Sequence, residues 1–135
     1  EPFILRLGVE VPHDVIFVTV HHSVKILPDR EFMDCRSLKE VTLREGLEEI
    51  GACAFCNCRS LERINFPSTL IKIIHGAFMN CHSLKEIQLL EGLKEIRHSA
   101  FHSCVSLERI NYPSTLIKID NSAFYRCHSL KEVTL

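Results

Sequence analysis

Glycine is scarce, with only five in 135 residues, and none opens a glycine-rich run of the kind that cradles phosphate. A membrane-crossing helix needs about 18 consecutive apolar residues, and no such run occurs. Charge of one sign is lacking too: 16 basic and 17 acidic residues leave a formal net charge of -1. That balance gives no electrostatic footprint for nucleic acid and no basic patch for an anionic membrane. No Asn-x-Ser/Thr site is present, because Asn65 and Asn111 are each followed two places later by proline.

What is present in quantity is cysteine, seven in all, and five of them fall at one interval: Cys35, Cys58, Cys81, Cys104 and Cys127 lie 23 residues apart. A fixed interval marks a structural column and not a set of pairing partners. Taking each cysteine as position zero, serine follows at +2 and leucine at +3 (Leu38, Leu61, Leu84, Leu107, Leu130). A β-branched residue stands at +6 (Val41, Ile64, Ile87, Ile110, Val133) and a large apolar residue at +8 (Leu43, Phe66, Leu89, Tyr112, Leu135). Leucine then recurs from Leu47 and isoleucine from Ile50, and each turn closes on Ala-Phe, from Ala54-Phe55 to Ala123-Phe124.

Positions +6 and +8 flank a polar +7, the period of two that makes a short strand. A 23-residue unit with one short strand cannot bury its apolar face alone, and stacking gives the missing cover. Complete turns are read at 12–34, 35–57, 58–80, 81–103 and 104–126, with a partial turn at 127–135. The first is degraded, with Pro12 in place of the cysteine and Ile16-Phe17 in place of the charged pair. Residues 1–11 break the register and alternate like a strand, so they read as a cap or joining segment. The fold expected is a right-handed repeat solenoid with a parallel sheet on one face. The other face should carry irregular, short helical or extended segments.

The stretches CRSLKEVTLREGLEEIGACAF and CHSLKEIQLLEGLKEIRHSAF resemble the BspA-type leucine-rich repeat. The resemblance covers residues 35–135 well and 12–34 loosely. It implies a curved solenoid with a role in protein binding, adhesion or scaffolding, and it implies no catalytic residue. Relatives of this kind occur on cell surfaces and inside cells. The periodic cysteines lean toward a reducing interior.

A longer period hides inside the short one. Residues 35–80 and 81–126 match at 29 of 46 positions. One type of turn carries Lys-Glu before the strand and Glu-Gly-Leu after it; the other carries Glu-Arg-Ile-Asn and Pro-Ser-Thr-Leu. Charge then alternates up the +4 column (Lys39, Glu62, Lys85, Glu108, Lys131). It does so again at +5 (Glu40, Arg63, Glu86, Arg109, Glu132) and at +14 (Glu49, Lys72, Glu95, Lys118). These ladders set register, and they also compose a structured face on which a partner docks. The candidate partner-binding face is Glu40, Thr42, Arg63, Asn65, Glu86, Gln88, Arg109, Asn111, Glu132 and Thr134. The function expected is a protein-interaction or scaffold module, with an extracellular adhesin-like protein as the alternative. Its partner would be another protein, not nucleic acid and not a membrane interior.

Chemistry finds little support. Cys53, Cys56 and Cys58 spell Cys-x-x-Cys-x-Cys, but no second pair completes four metal ligands. His75 and His98 share a column, with His102 nearby and no carboxylate beside them. Ser-His and Cys-His adjacencies are products of the repeat, and a nucleophile needs a unique oriented base. No catalytic residue, metal or cofactor is expected. The column cysteines should be buried, reduced thiols, and serine in their place should bury a hydroxyl without a partner. The sequence starts without methionine and stops on consensus at Leu135, so it reads as a piece of something longer, continued by further turns or covered by a partner.

Overall fold

The structure is a computed structural model and describes residues 2–134, the last three of them as backbone only. Twelve short strands are distinguished: β1 (Phe3–Leu5), β2 (Phe17–Val20), β3 (Ile26–Leu27), β4 (Glu40–Thr42), β5 (Glu49–Ile50) and β6 (Arg63–Ile64), then β7 (Lys72–Ile73), β8 (Glu86–Ile87), β9 (Glu95–Ile96), β10 (Arg109–Asn111), β11 (Lys118–Ile119) and β12 (Glu132–Thr134). All pairing is parallel, and from β2 onward paired strands are offset by 23 residues, as Val18 meets Val41 and Ile73 meets Ile96. The chain is thus a β-solenoid, and the face opposite the expected strands is extended: β3, β5, β7, β9 and β11 form a second sheet through five turns. No helix among the described residues is long and apolar enough to cross a membrane.

β1 lies beside β2 with Phe3 next to Val18, a shorter step than the repeat. The 1–11 segment therefore takes the strand place of an earlier turn. Leu5 is buried there at 1% exposure.

The core is a set of columns. Phe32, Phe55, Phe78 and Phe101 are fully buried, and successive rings from Phe32 to Phe124 stack with centroids 5.1–5.3 Å apart. Offset aromatic pairs contribute about 0.5–1.5 kcal/mol beyond burial. Their backbones are tied in the same direction, as Phe55 N–H donates to the Ala77 carbonyl at 2.7 Å and Phe78 N–H to Ala100 at 2.7 Å.

The cysteine column has a polar duty that the spacing alone did not reveal. The thiols of Cys58, Cys81, Cys104 and Cys127 donate to the carbonyls of Phe32, Phe55, Phe78 and Phe101 at 3.1–3.3 Å. Cysteine suits this place because it packs as a small apolar side chain and carries a weak donor. The expectation that serine would lack a partner here is therefore corrected: an acceptor stands ready.

The front face differs from the single sheet expected. It divides between β6 and β8, giving sheets β1-β2-β4-β6 and β8-β10-β12. With two residues per strand a ladder has few bonds, so a small displacement removes it; Ile64 of β6 is only half-buried where Val41, Ile87 and Ile110 are buried. The stack stays whole there through the back sheet, where Lys72 meets Glu95, and through Ser83 Oγ donating to the Arg59 carbonyl at 2.7 Å.

Candidate partner-binding face

The alternation of two turn types becomes a lock. Asn65 accepts from Leu43 N–H through Oδ1 at 2.9 Å and donates from Nδ2 to the Leu43 carbonyl at 2.8 Å. Thr69 accepts from Gly46 N–H at 2.9 Å and donates to the Leu47 carbonyl at 2.7 Å. Ser68 donates its N–H and hydroxyl to the Glu45 carboxylate at 3.1 and 2.9 Å. The same three ties recur 46 residues later, from Asn111, Thr115 and Ser114 to Leu89, Gly92 and Glu91. Gly46 and Gly92 have φ of 108° and 112°, where a side chain is strained. The turn types differ because one offers the groups that the other grips. Residues 35–80 and 81–126 are two locked units, and the divided front sheet is the seam between them.

The lock changes what the front offers. Asn65 and Asn111 spend both ends of their amides on the neighbouring turn. Thr42 and Gln88 of the same +7 strip stay exposed, with no side-chain bond among the described residues. Of the +5 column, Arg63 Nη2 reaches Glu40 at 2.8 Å and its Nη1 reaches Glu62 at 3.4 Å, while Arg109 reaches Glu86 at 3.1 Å. The hydrogen bond from Arg63 holds the Glu40 carboxyl below its ordinary pKa, and Glu40 raises that of Arg63 in return. Glu132 and Thr134 lie in β12, and their side chains fall outside the described residues. No ion pair joins successive +4 residues among the described residues; Glu62 turns to Arg63 instead.

A groove of about 1090 Å³ runs over the seam, lined by Glu62, Arg63, Ile64, Ser83, Lys85, Glu86, Ile87, Gln88, Ser106, Glu108, Arg109, Ile110 and Asn111. It brings together five predicted face residues: Arg63, Glu86, Gln88, Arg109 and Asn111. Glu62, Lys85 and Glu108 of the +4 ladder, which are not among the ten candidate face residues, line it too, as do Ser83 and Ser106 at +2, whose place beside the strand puts them on the same wall. A smaller hollow of about 380 Å³ lies near β1, lined by Pro2, Phe17, Val18, Thr19, Glu40 and Thr42. Ile16 and Phe17 begin the +4 and +5 columns and are 44% and 40% exposed, so the front passes from apolar to charged along its length.

The back carries its own charges. Lys72 reaches Glu95 at 3.4 Å and Arg97 reaches it at 3.2 Å. Burial works against the Glu95 carboxylate, yet the bond from Lys72 and the charges of Arg97 and Lys72 outweigh it and keep its pKa low. Among the histidines, His98 Nδ1 meets the Asn121 carbonyl at 3.1 Å and His102 Nδ1 meets Ser103 Oγ at 2.9 Å. Among the described residues no three His, Cys, Asp or Glu side chains are placed to hold a metal ion.

Comparison with known proteins agrees with this architecture. Residues 14–134 match the BspA type leucine rich repeat region in 6 copies. The T. pallidum leucine rich repeat protein is 32% identical with a TM-score of 0.84, over 87% of this chain and 57% of its own. A leucine rich cell surface protein from Faecalibacterium prausnitzii is 31% identical with a TM-score of 0.88, over 98% of this chain and 35% of its own. The pneumococcal vaccine antigen PcpA is 27% identical with a TM-score of 0.73, over 85% of this chain and 29% of its own. The chain thus spans well under two thirds of each of these proteins. No curated protein shows significant similarity to it. With its 23-residue turns, parallel ladders and repeat matches over nearly its whole length, the chain belongs to the BspA type leucine-rich repeat family.

Proposed function

We propose that the chain is a protein-interaction module that binds a protein partner through its front face, at the groove over the seam. The observation that carries this reading is the groove itself. It spans three turns, and its rim is exposed Arg63, Lys85, Glu86 and Gln88 over a floor of Ile64 and Ile87. A rim of both signs around an apolar floor suits a protein surface, since complementary charges set orientation while apolar burial supplies affinity. The repeat family and the relatives' descriptions support binding, not catalysis, as the role. One relative is described as a cell surface protein and another as a vaccine antigen. This favours an extracellular, adhesin-like setting over the reducing interior suggested by the cysteine spacing.

The test is a paired capture with immobilised chain and extract or surface material from the source organism. A front variant (Lys85→Glu with Glu108→Lys) and a back variant (Lys94→Glu) are compared with wild type. A partner retained by wild type and the back variant, and lost from the front variant at unchanged folding, supports the reading. Loss from the back variant alone contradicts it.

A further inference from the structure

The Cys-x-x-Cys-x-Cys run of turn 35–57 ends on a thiol already in use, since buried Cys58 donates to the Phe32 carbonyl at 3.1 Å. Cys53 and Cys56 have no counterparts in other turns. Their columns read Arg30, Gly76, Ser99 and Ser122 at +18, and Met33, Met79, His102 and Tyr125 at +21. Both are free thiols. Neither is tied to a carbonyl as the column cysteines are, and the two thiols stand near enough for Cys53 to act on Cys56 electrostatically. They stand at the two ends of a single turn, closed by Cys56 N–H donating to the Cys53 carbonyl at 3.2 Å. Such a turn brings its first and fourth Cα atoms within about 7 Å, which overlaps the roughly 4.4–6.8 Å that a disulfide spans.

Two features single out this pair. Gly76 lies over Cys53 in the next turn, and a Cβ there would stand 3.0 Å from the Cys53 sulfur. Among the five members of the +18 column, the only glycine is the one facing a cysteine, so the sulfur has room where a side chain would crowd it. Exposure is also unequal: Cys53 is half-buried and Cys56 is only 6% exposed. An accessible thiol beside a sheltered one is the arrangement that thiol–disulfide exchange uses, the first attacking and the second resolving. Burial, then the neighbouring Cys53, pushes the Cys56 pKa up to about 11. This keeps Cys56 in its thiol form while the less sheltered Cys53 reacts first.

We propose that Cys53 and Cys56 are a redox modification site, closed to a disulfide by exchange with a small disulfide such as oxidised glutathione. The Cys53 thiolate attacks one sulfur of glutathione disulfide. That S–S bond breaks, and one glutathione thiolate leaves and takes up the proton that Cys53 released. Cys56 then loses its proton and attacks the Cys53 sulfur of the mixed disulfide, expelling the second glutathione, which takes up that proton. Two protein thiols are oxidised to one disulfide, and glutathione disulfide is reduced to two glutathiones. The column cysteines take no part, because they are packed in the core and Cys58 holds the Phe32 carbonyl. The backbone bonds of this turn to the next, Phe55 N–H to Ala77 and Asn57 N–H to Met79 at 2.7 and 2.9 Å, involve no sulfur and persist. The bridge therefore changes the thiol state of one turn and leaves the stack folded.

The experiment incubates the folded chain with oxidised glutathione, quenches in acid, unfolds, alkylates and maps the thiols by mass spectrometry with fragmentation. The expected product has Cys53 and Cys56 joined and the other five cysteines alkylated. Cys56→Ser should retain one glutathione on Cys53, and Cys53→Ser should take up none on Cys56. A bridge to Cys58, or a folded wild-type protein in which Cys53 and Cys56 both remain alkylatable, overturns the proposal. So does a Cys53→Ser variant modified as fast as wild type. If either variant fails to fold by circular dichroism, the wild-type map decides alone.

Discussion

Asn111 holds Leu89 by both ends of its amide: Leu89 N–H donates to Oδ1 at 2.8 Å, and Nδ2 donates to the Leu89 carbonyl at 2.6 Å. Asn65 holds Leu43 in the same way one unit earlier. Asn111→Ala leaves two part-buried backbone groups without that partner and should destabilise by about 1–3 kcal/mol. Gln88→Ala, in the same strip and exposed, should stay within about 0.5 kcal/mol. Urea unfolding of the two variants checks the contrast, and equal midpoints would show that the lock carries no weight.

The thiol–carbonyl column makes a second expectation. Cys81→Ser retains a donor facing the Phe55 carbonyl, now 3.3 Å from the thiol, so its cost should stay below about 1.5 kcal/mol, the scale of one net hydrogen bond. Cys81→Asp places an acceptor against that carbonyl in the core and should unfold the protein, because a buried unpaired charge is far more costly. Thermal melts followed by circular dichroism separate the two.

Stability should fall on the alkaline side. Burial pushes Cys35 and Cys127 up to about 11 from the ordinary 9.0, and Cys58, Cys81 and Cys104 higher still. Above that ordinary value the unfolded chain has released thiol protons that the folded chain keeps, so the unfolded state gains. The thiol contribution is therefore full below pH 9.0 and is lost as pH climbs through the folded values. Urea midpoints measured across the alkaline range should drop in wild type and drop less in a Cys81→Ala, Cys104→Ala variant. A flat profile in wild type would contradict this.

Glu86 pairs with Arg109 across the second unit and meets no paired strand on its Arg63 side. Glu86→Arg should thus cost more than Glu86→Gln at low salt. Adding Arg109→Glu together with Glu132→Arg, its register partner in β12, should restore most of the difference, without any change at Arg63. The differences should shrink as salt screens exposed charges. If recovery instead requires Arg63→Glu, the seam is closed in solution.

Most of the fold was legible because the repeat states it five times: the columns of Leu, Ile, Phe and Cys read from the sequence are the buried columns of the structure, apart from half-buried Ile64 and the last turn, where Ile119 is 43% exposed. The back sheet was less legible, since two-residue strands such as Glu49–Ile50 are too short to show a period of two. The long period was visible as matching residues, but its cause was not, because Asn65, Thr69 and Ser68 act on backbone groups that no sequence pattern displays. For the face, polarity at +5 and +7 put residues on the outward side of the strand. It did not separate Asn65 and Asn111, which are turned to Leu43 and Leu89, from Gln88, which is left to solvent.

The central claim is that the front groove, not the back, meets the partner, and site-directed photo-crosslinking tests it most directly. A photoreactive residue replaces Gln88 in the groove in one variant and Lys94, exposed beside β9 on the back, in another. Each is illuminated with material from the source organism. A discrete protein adduct from position 88 and none from position 94 is the result predicted. The same adduct from position 94, with position 88 silent, would contradict the account.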